Sequence, residues 1–151
     1  MTLNNSVFVE AQMLIRKPME MVFEAFIDPA ITTNFWFTKS SGKLEVRKTI
    51  TWEWEMYNAS TRVLVKEIVP NKKISIEWSE PVTTVDFEFE ALSVDTTYVI
   101  IKNHGFNLEG DELIAAIKDN TGGFTTVLDG LKAYLEHNIN LNLIADKFPH
   151  K

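Results

Sequence analysis

TGGFTTVLDGLKAYLEHNI, residues 121–139, is the stretch that decides the fold of this chain. Its apolar residues recur at intervals of three and four and therefore lie along one side of an α-helix: Phe124, Val127, Leu128, Leu131, Leu135 and Ile139. The polar residues between them fall largely on the other side, so the helix is amphipathic. Thr121 is predicted to cap its start and Asn138 to end it. Because most of the preceding chain has the pattern of β-strands, we expect the apolar stripe to pack on a sheet.

The composition is that of an ordinary globular protein. The chain has 151 residues, 45% hydrophobic and 24% charged, which indicates one domain spanning 1–151. A net charge of -6 without a run of basic residues disfavours nucleic-acid binding. The absence of cysteine excludes disulfides, thiolate metal sites and a cysteine nucleophile. No apolar run approaches the roughly 20 residues of a membrane span, and we predict a soluble cytoplasmic protein with no membrane role.

The first part of the chain predicts one strand followed by two short helices. Residues 7–15 alternate between apolar and polar side chains, the pattern of a half-buried strand. Pro18 then suits the start of a short helix over 19–27, and Asp28-Pro29 breaks it. Residues 30–37 are predicted to form a second short helix that carries Phe35-Trp36-Phe37.

From residue 42 onward the pattern predicts an antiparallel meander and then helices. The predicted strands, in chain order, cover 43–48 (weakly), 50–56, 62–69, 74–78, 85–91 and 96–103. Asp111 is predicted to cap a helix over 112–118, and Gly122-Gly123 to interrupt or kink the path before the long helix. The tail, 141–151, contains several apolar residues and is expected to pack back on the body.

Four segments carry a resemblance to a known family. They are KPMEMVFEAF (17–26), FWF (35–37), VKEIVPNKKI (65–74) and GFTTVLDGLKAYLE (123–136). The sequence resembles the START-like (SRPBCC) superfamily, in its Hsp90-ATPase-activator-homologue (AHSA1-like) branch. It differs in having Phe124 where that family usually has Trp, and Asn103 where it often has His. The resemblance implies an α+β helix-grip fold: a curved antiparallel sheet of about six to seven strands around a long C-terminal helix, with two short helices after strand 1.

The resemblance also implies a cavity between the sheet and the C-terminal helix that holds a small hydrophobic or amphipathic molecule. The candidate ligand-binding residues are those at inward strand positions, on the sheet-facing side of the helix, or near the predicted mouth: Trp36, Trp52, Trp54, Trp78, Phe87, Phe89, Val99, Ile101, Asn103, Phe124 and Leu128. Core packing is the alternative use for the large apolar members. Thr97 and Asn103 are the polar residues best placed to orient a ligand.

Catalytic and metal-binding patterns are weak. The carboxylates alternate outward with Lys and Arg nearby, which indicates cross-strand pairs on a solvated face rather than an acid–base dyad. His104, His137 and His150 lack the spacing of a metal site, so we predict no metal and no cofactor. His104 follows the last strand and either reaches a pocket mouth or lies in an exposed loop.

Three functions stay open. The first is binding of a small hydrophobic ligand as a carrier or sensor. The second, suggested by the branch name, is partnership with an Hsp90-type chaperone ATPase, and the third is an enzyme like the cyclases and hydrolases of the superfamily. Oligomeric state is open between monomer and homodimer, since an edge strand at 43–48 or the apolar tail would suit a dimer contact.

Overall fold

The computed structural model describes residues 7–150 and shows one antiparallel sheet of seven strands with helices on one side. The domain was predicted to span 1–151 and the tail 141–151. Residues 1–6 and 151 of these ranges lie outside the described residues. The strands follow the spatial order β1-β7-β6-β5-β4-β3-β2. In chain order they are β1 (Val9–Ile15), β2 (Lys39–Ser40), β3 (Thr49–Trp54), β4 (Ala59–Val69), β5 (Lys73–Trp78), β6 (Thr83–Ser93) and β7 (Thr96–His104). This α+β architecture confirms the predicted helix-grip fold.

Within residues 7–150, four α-helices accompany the sheet: α1 (Met19–Ile27), α2 (Pro29–Thr32), α3 (Gly110–His137) and α4 (Leu143–Lys147). The helix predicted over 19–27 is confirmed. The second, predicted over 30–37, ends at Thr32, because the chain then turns to send Phe35, Trp36 and Phe37 into the core, where all three are buried. Within residues 7–150 no helix combines the length and apolar character needed to span a membrane.

The segment 43–48 is not a strand, and this prediction was wrong. The two-residue strand β2 pairs with β3 on that side, and residues 41–48 form a loop. Leu44 fixes this loop to the rest of the protein. Its side chain is buried, and its backbone N–H donates to the carbonyl of Ile27 at 3.2 Å. Arg47, with φ of 71°, leaves the extended region altogether.

Alternation along the other strands decides which side chains enter the core. On β6, Val85, Phe87 and Phe89 are buried while the residues between them are partly exposed. The same alternation on β7 buries Thr97, Val99, Ile101 and Asn103, as predicted. The alternation ends at Ala91, which is exposed, where the register between β6 and β7 shifts.

The long helix α3 is continuous over 28 residues, about 42 Å, and starts well before Thr121. The predicted break at Gly122-Gly123 and the predicted caps at Thr121 and Asp111 were wrong. Thr121 instead bonds back to the carbonyl of Ile117 at 2.6 Å, inside the helix. Each glycine costs about 1 kcal/mol in helix propensity, a cost that packing on both sides of the pair outweighs. The helix ends at Asn138, in the left-handed region with φ of 57°, as predicted.

A polar clamp fastens the last turns of α3 to the end of β1. The carboxylate of Glu136 accepts from Lys132 Nζ at 2.6 Å and from the backbone N–H of Arg16 at 2.7 Å. Lys132 Nζ also donates to the carbonyl of Leu14 at 2.9 Å. Burial raises the pKa of Glu136, whose side chain is 10% exposed, but these hydrogen bonds outweigh burial and hold the pKa below its ordinary value.

Glu136→Gln is expected to lower the free energy of unfolding at neutral pH by about 1–3 kcal/mol, because it weakens two charge-assisted hydrogen bonds. A carboxyl with a lowered folded pKa stabilises the fold above its unfolded pKa, and that contribution is lost as the pH falls through the folded pKa. The gap between wild type and variant should therefore shrink below about pH 4 in urea titrations. Glu90→Gln, at an exposed position, is the control. A gap independent of pH would contradict this account.

Two glycines of α3 should respond oppositely to alanine. A Cβ at Gly130 would lie 3.3 Å from both the Cβ and the carbonyl oxygen of Phe35, whereas one at Gly123 would meet nothing within 4 Å. Gly123→Ala is expected to stabilise by up to about 1 kcal/mol through helix propensity. Gly130→Ala should cost about 1–3 kcal/mol through overpacking. Urea unfolding of both variants measures the difference, and equal effects would show that the two positions pack alike.

Candidate functional site

An open cavity of about 320 Å³ lies between the sheet, the middle of α3 and the C-terminal tail. Its size falls near the lower end of small-molecule pockets, about 300–1,000 Å³. It is lined mainly by aromatic and apolar side chains, with a few polar groups: Trp36, Trp54, Tyr57, Ala59, Trp78, Asp119, Asn120, Gly123, Phe124, Val127, Ile144, Lys147 and Phe148. This combination suits a ligand with an apolar body.

Trp78 lies at the centre of the aromatic wall. Its ring centroid is 5.7 Å from that of Phe124, 5.9 Å from that of Trp36 and 6.5 Å from that of Trp54. Strand alternation on β3 and β5 turns Trp54 and Trp78 to the same side of the sheet, and Phe124 faces them from α3. The rings meet at steep or tilted angles, the arrangement that aromatic quadrupoles favour.

Gly123 supplies the opening on the α3 side. It belongs to the cavity lining, and the space where its side chain would stand is empty to 4 Å. A larger residue there would project from the helix into that space. Gly123, which was expected with Gly122 to break the helix, therefore leaves the cavity wall without a side chain instead.

The tail forms the third wall through α4. The hydroxyl of Tyr57 donates to the carbonyl of Ile144 and lies 3.3 Å from that of Ala145. Lys147 Nζ donates to Thr126 Oγ1 at 3.2 Å, and the Tyr57 and Phe148 rings meet at 6.3 Å. The tail was expected to pack back on the body. Ile144 does so, because it is partly buried against the core.

A wider groove of about 390 Å³ adjoins the cavity along α3. The two share Asp119, Lys147 and Phe148, and the groove adds Lys118 at its side. The mouth of the aromatic cavity thus opens onto a groove that contains both lysine and aspartate side chains beside apolar ones.

Four of the eleven predicted ligand-binding residues line the cavity: Trp36, Trp54, Trp78 and Phe124. The apolar others lie behind that wall in the closed core: Trp52, Phe87, Phe89, Val99, Ile101 and Leu128. Trp52, for example, stacks on Phe37 with centroids 4.5 Å apart. Direct ligand contact by these residues stays a prediction.

Asn103 is fully buried and sits apart from the cavity lining. Its Nδ2 donates to Thr83 Oγ1 and to the carbonyl of Thr84, both at 2.9 Å. Its Oδ1 is the one fully enclosed side-chain polar atom among residues 7–150 without a hydrogen-bond partner. The carbonyl of Thr84 fixes the amide orientation, since a flipped amide would place two oxygens together. Its predicted role in orienting a ligand remains untested.

His104 lies on the outward face of the sheet, away from the aromatic cavity. Its Nε2 is 2.8 Å from Asp86 Oδ2. Burial raises the pKa of the Asp86 carboxyl, but hydrogen bonds from Ser75 and His104 outweigh it and hold the pKa below its ordinary value. Ion pairs of Glu77 with Lys66 and of Glu88 with Lys102 cover the same face, as the alternation predicted. In the described part of the chain no group of three or more His, Asp or Glu is placed to hold a metal ion.

Sequence reasoning missed the cavity residues of the turn and the tail. Tyr57 lies between two predicted strands and, like Lys147 and Asp119, was given no role. Tyr57 closes a 3₁₀ helix (Glu55–Tyr57) that ends at Asn58, in the left-handed region. Only the apolar character of Ile144 and Phe148 signalled that the tail contacts the body; nothing in the sequence indicated where.

Comparison with known proteins agrees with this fold. The family model described as activator of Hsp90 ATPase homolog 1-like protein matches residues 16–136. A search of curated proteins finds no significant match.

Several solved structures share the fold. Protein SSP2350 from Staphylococcus saprophyticus is similar with a TM-score of 0.79 and 29% identity, over 89% of this chain and 96% of that one. Protein MLL2253 from Mesorhizobium loti has a TM-score of 0.76 at 18% identity, over 88% and 99%. The Aha1 dimer from Colwellia psychrerythraea has a TM-score of 0.72 at 18% identity, over 87% and 97%. Because the family model covers most of the sequence, this chain belongs to the activator of Hsp90 ATPase homolog 1-like family, a branch of the START-like superfamily.

Proposed function

We propose that this protein binds a small hydrophobic or amphipathic molecule in the cavity between the sheet, α3 and α4. The observation that carries the proposal is the aromatic wall around Trp78, which borders open space of about 320 Å³ instead of closing on itself. In a core packed at ordinary density, rings of this size would interdigitate and leave no such space. An apolar ligand would gain roughly 25 cal/mol for each Å² of apolar surface removed from water.

The polar lining supports an orienting role rather than a catalytic one. The Tyr57 hydroxyl is already bonded to the tail, and the amide nitrogen of Asn120 donates to the carbonyl of Ala116 at 2.9 Å. Asp119 and Lys147 stand at the mouth, where the cavity meets the adjoining groove. Such groups fix the direction in which an amphipathic molecule enters.

Gly123→Trp is expected to abolish ligand binding, because the new side chain would occupy the space beside Trp78. Fluorescence titration with the neutral probe N-phenylnaphthylamine should show saturable binding to the wild type and at least about tenfold weaker binding to the variant. Thr125→Trp places the same side chain at an exposed position of α3 and is the matched control. Gly123→Leu provides a smaller filling variant, and thermal melts verify that all variants fold.

Saturable probe binding that survives both substitutions at Gly123 would contradict this location. Native mass spectrometry of gently purified protein is the complementary measurement. A small bound mass that is lost on denaturation would support the proposal, whereas an apo mass together with no probe binding would refute it.

A second candidate function is partnership with an Hsp90-type ATPase, favoured by the description of the matching family. The protein is then expected to raise the ATPase rate of the Hsp90-type chaperone from its own host in a saturable manner. Gly123→Trp should leave this stimulation intact if the chaperone contact lies on the outer surface. No stimulation and no complex by size-exclusion chromatography would remove this candidate.

A further inference from the structure

The charges at the cavity mouth are unbalanced. The groove that adjoins the cavity contains two lysines, Lys118 and Lys147, and one carboxylate, Asp119. Neither lysine forms an ion pair within the part of the chain that the structure describes, although the protein carries a net charge of -6. Lys66, Lys73 and Lys102, on the outer face of the sheet, are each paired with a glutamate.

The Lys147 side chain is positioned by the protein, and some of its N–H donors remain available to a ligand. Its ammonium group donates to Thr126 Oγ1 at 3.2 Å and lies 5.9 Å from the centroid of the Phe148 ring. An ammonium has three N–H donors, so this single hydrogen bond leaves two for a ligand. The group stands where the apolar cavity meets the groove, at the point where the polar end of an amphipathic molecule would emerge.

Three tryptophans of the cavity lining each carry a further hydrogen-bond donor, the indole N–H. Among residues 7–150, the indole N–H groups of Trp36, Trp54 and Trp78 donate to no protein acceptor. These N–H groups are not fully enclosed. Within that range, Asn103 Oδ1 is the one fully enclosed side-chain polar atom without a partner. Indole N–H is a donor only and pairs with acceptor atoms on a ligand.

We propose that the ligand is an amphipathic aromatic acid, with its ring system against the Trp36–Trp78–Phe124 wall and its anionic group at Lys147 and Lys118. This inference rests on the proposed function and specifies its ligand class. Ring contacts with the wall add roughly 0.5–1.5 kcal/mol each beyond area burial, which favours aromatic over aliphatic bodies. The anionic group of the ligand supplies acceptors to Lys118 and Lys147, which the chain leaves without ion pairs. Asp119 beside them disfavours molecules with further negative charge.

Two fluorescent probes with the same aromatic skeleton test the inference. Anilinonaphthalene sulfonate is anionic, whereas N-phenylnaphthylamine lacks the sulfonate. In the double variant Lys118→Gln/Lys147→Gln, binding of the sulfonate probe is expected to weaken about three- to tenfold, while binding of the neutral probe changes by less than about twofold. Lys66→Gln, which removes a charge from the outer face, is the matched control and should affect neither probe.

Competition with dodecanoate separates an aromatic from an aliphatic acid. Dodecanoate is expected to displace the sulfonate probe at least about tenfold less well than naphthoate does. In NMR spectra of labelled protein, the indole N–H resonances of the cavity tryptophans should shift with the sulfonate probe more than with the neutral one.

Equal effects of the lysine substitutions on both probes, or no effect on either, would overturn the inference while leaving the proposed function in place. Stronger displacement by dodecanoate would overturn the aromatic assignment. Failure of both probes to bind the wild-type protein would instead refute the proposed function itself, and the inference with it.

Discussion

The contact of the α3 stripe with the inner face of the sheet is the interaction on which the rest of the structure depends. Phe124, Val127, Leu128 and Leu131 are buried along that contact, each worth about 1.5–3 kcal/mol of hydrophobic stabilisation. The sheet alone would expose its apolar inner face, and the helix alone would expose its stripe. Their association excludes water from both, and the polar clamp at Glu136 sets where the helix ends relative to β1.

Helix α3 fills the core along one part of its length and leaves a cavity along another. Around Leu128 and Leu131 its side chains fill the space up to the sheet, and Gly130 lets the backbone approach Phe35 closely. One to two turns earlier, Gly123 presents no side chain to the aromatic wall, and the cavity begins there. Two glycines in one helix therefore have opposite effects: one permits tight packing and the other creates space. Local surroundings, not residue type, decide which.

Charge is distributed differently over the two sides of the sheet. The outer face pairs its lysines and carboxylates across strands, as at Lys102 and Glu88, and each exposed pair adds little to stability. The mouth of the cavity instead leaves Lys118 and Lys147 without carboxylate partners among residues 7–150. These two lysines are the groups to which we assign the acidic end of the proposed ligand.

The sequence by itself determined most strands, the inward face of most of them and the end of α3 at Asn138, because periodicity and capping are local properties, and its resemblance to a known family indicated the fold class. Three wall residues of the cavity, Trp54, Trp78 and Phe124, followed from the same periodicity, and Trp36 was predicted only to lie near the mouth. The tertiary structure alone decided that α3 runs through Gly122-Gly123 and that Tyr57 meets the tail 87 residues away in sequence. Helix propensity is a weak preference that packing overrides, and contacts between distant segments leave no periodic signal in either one.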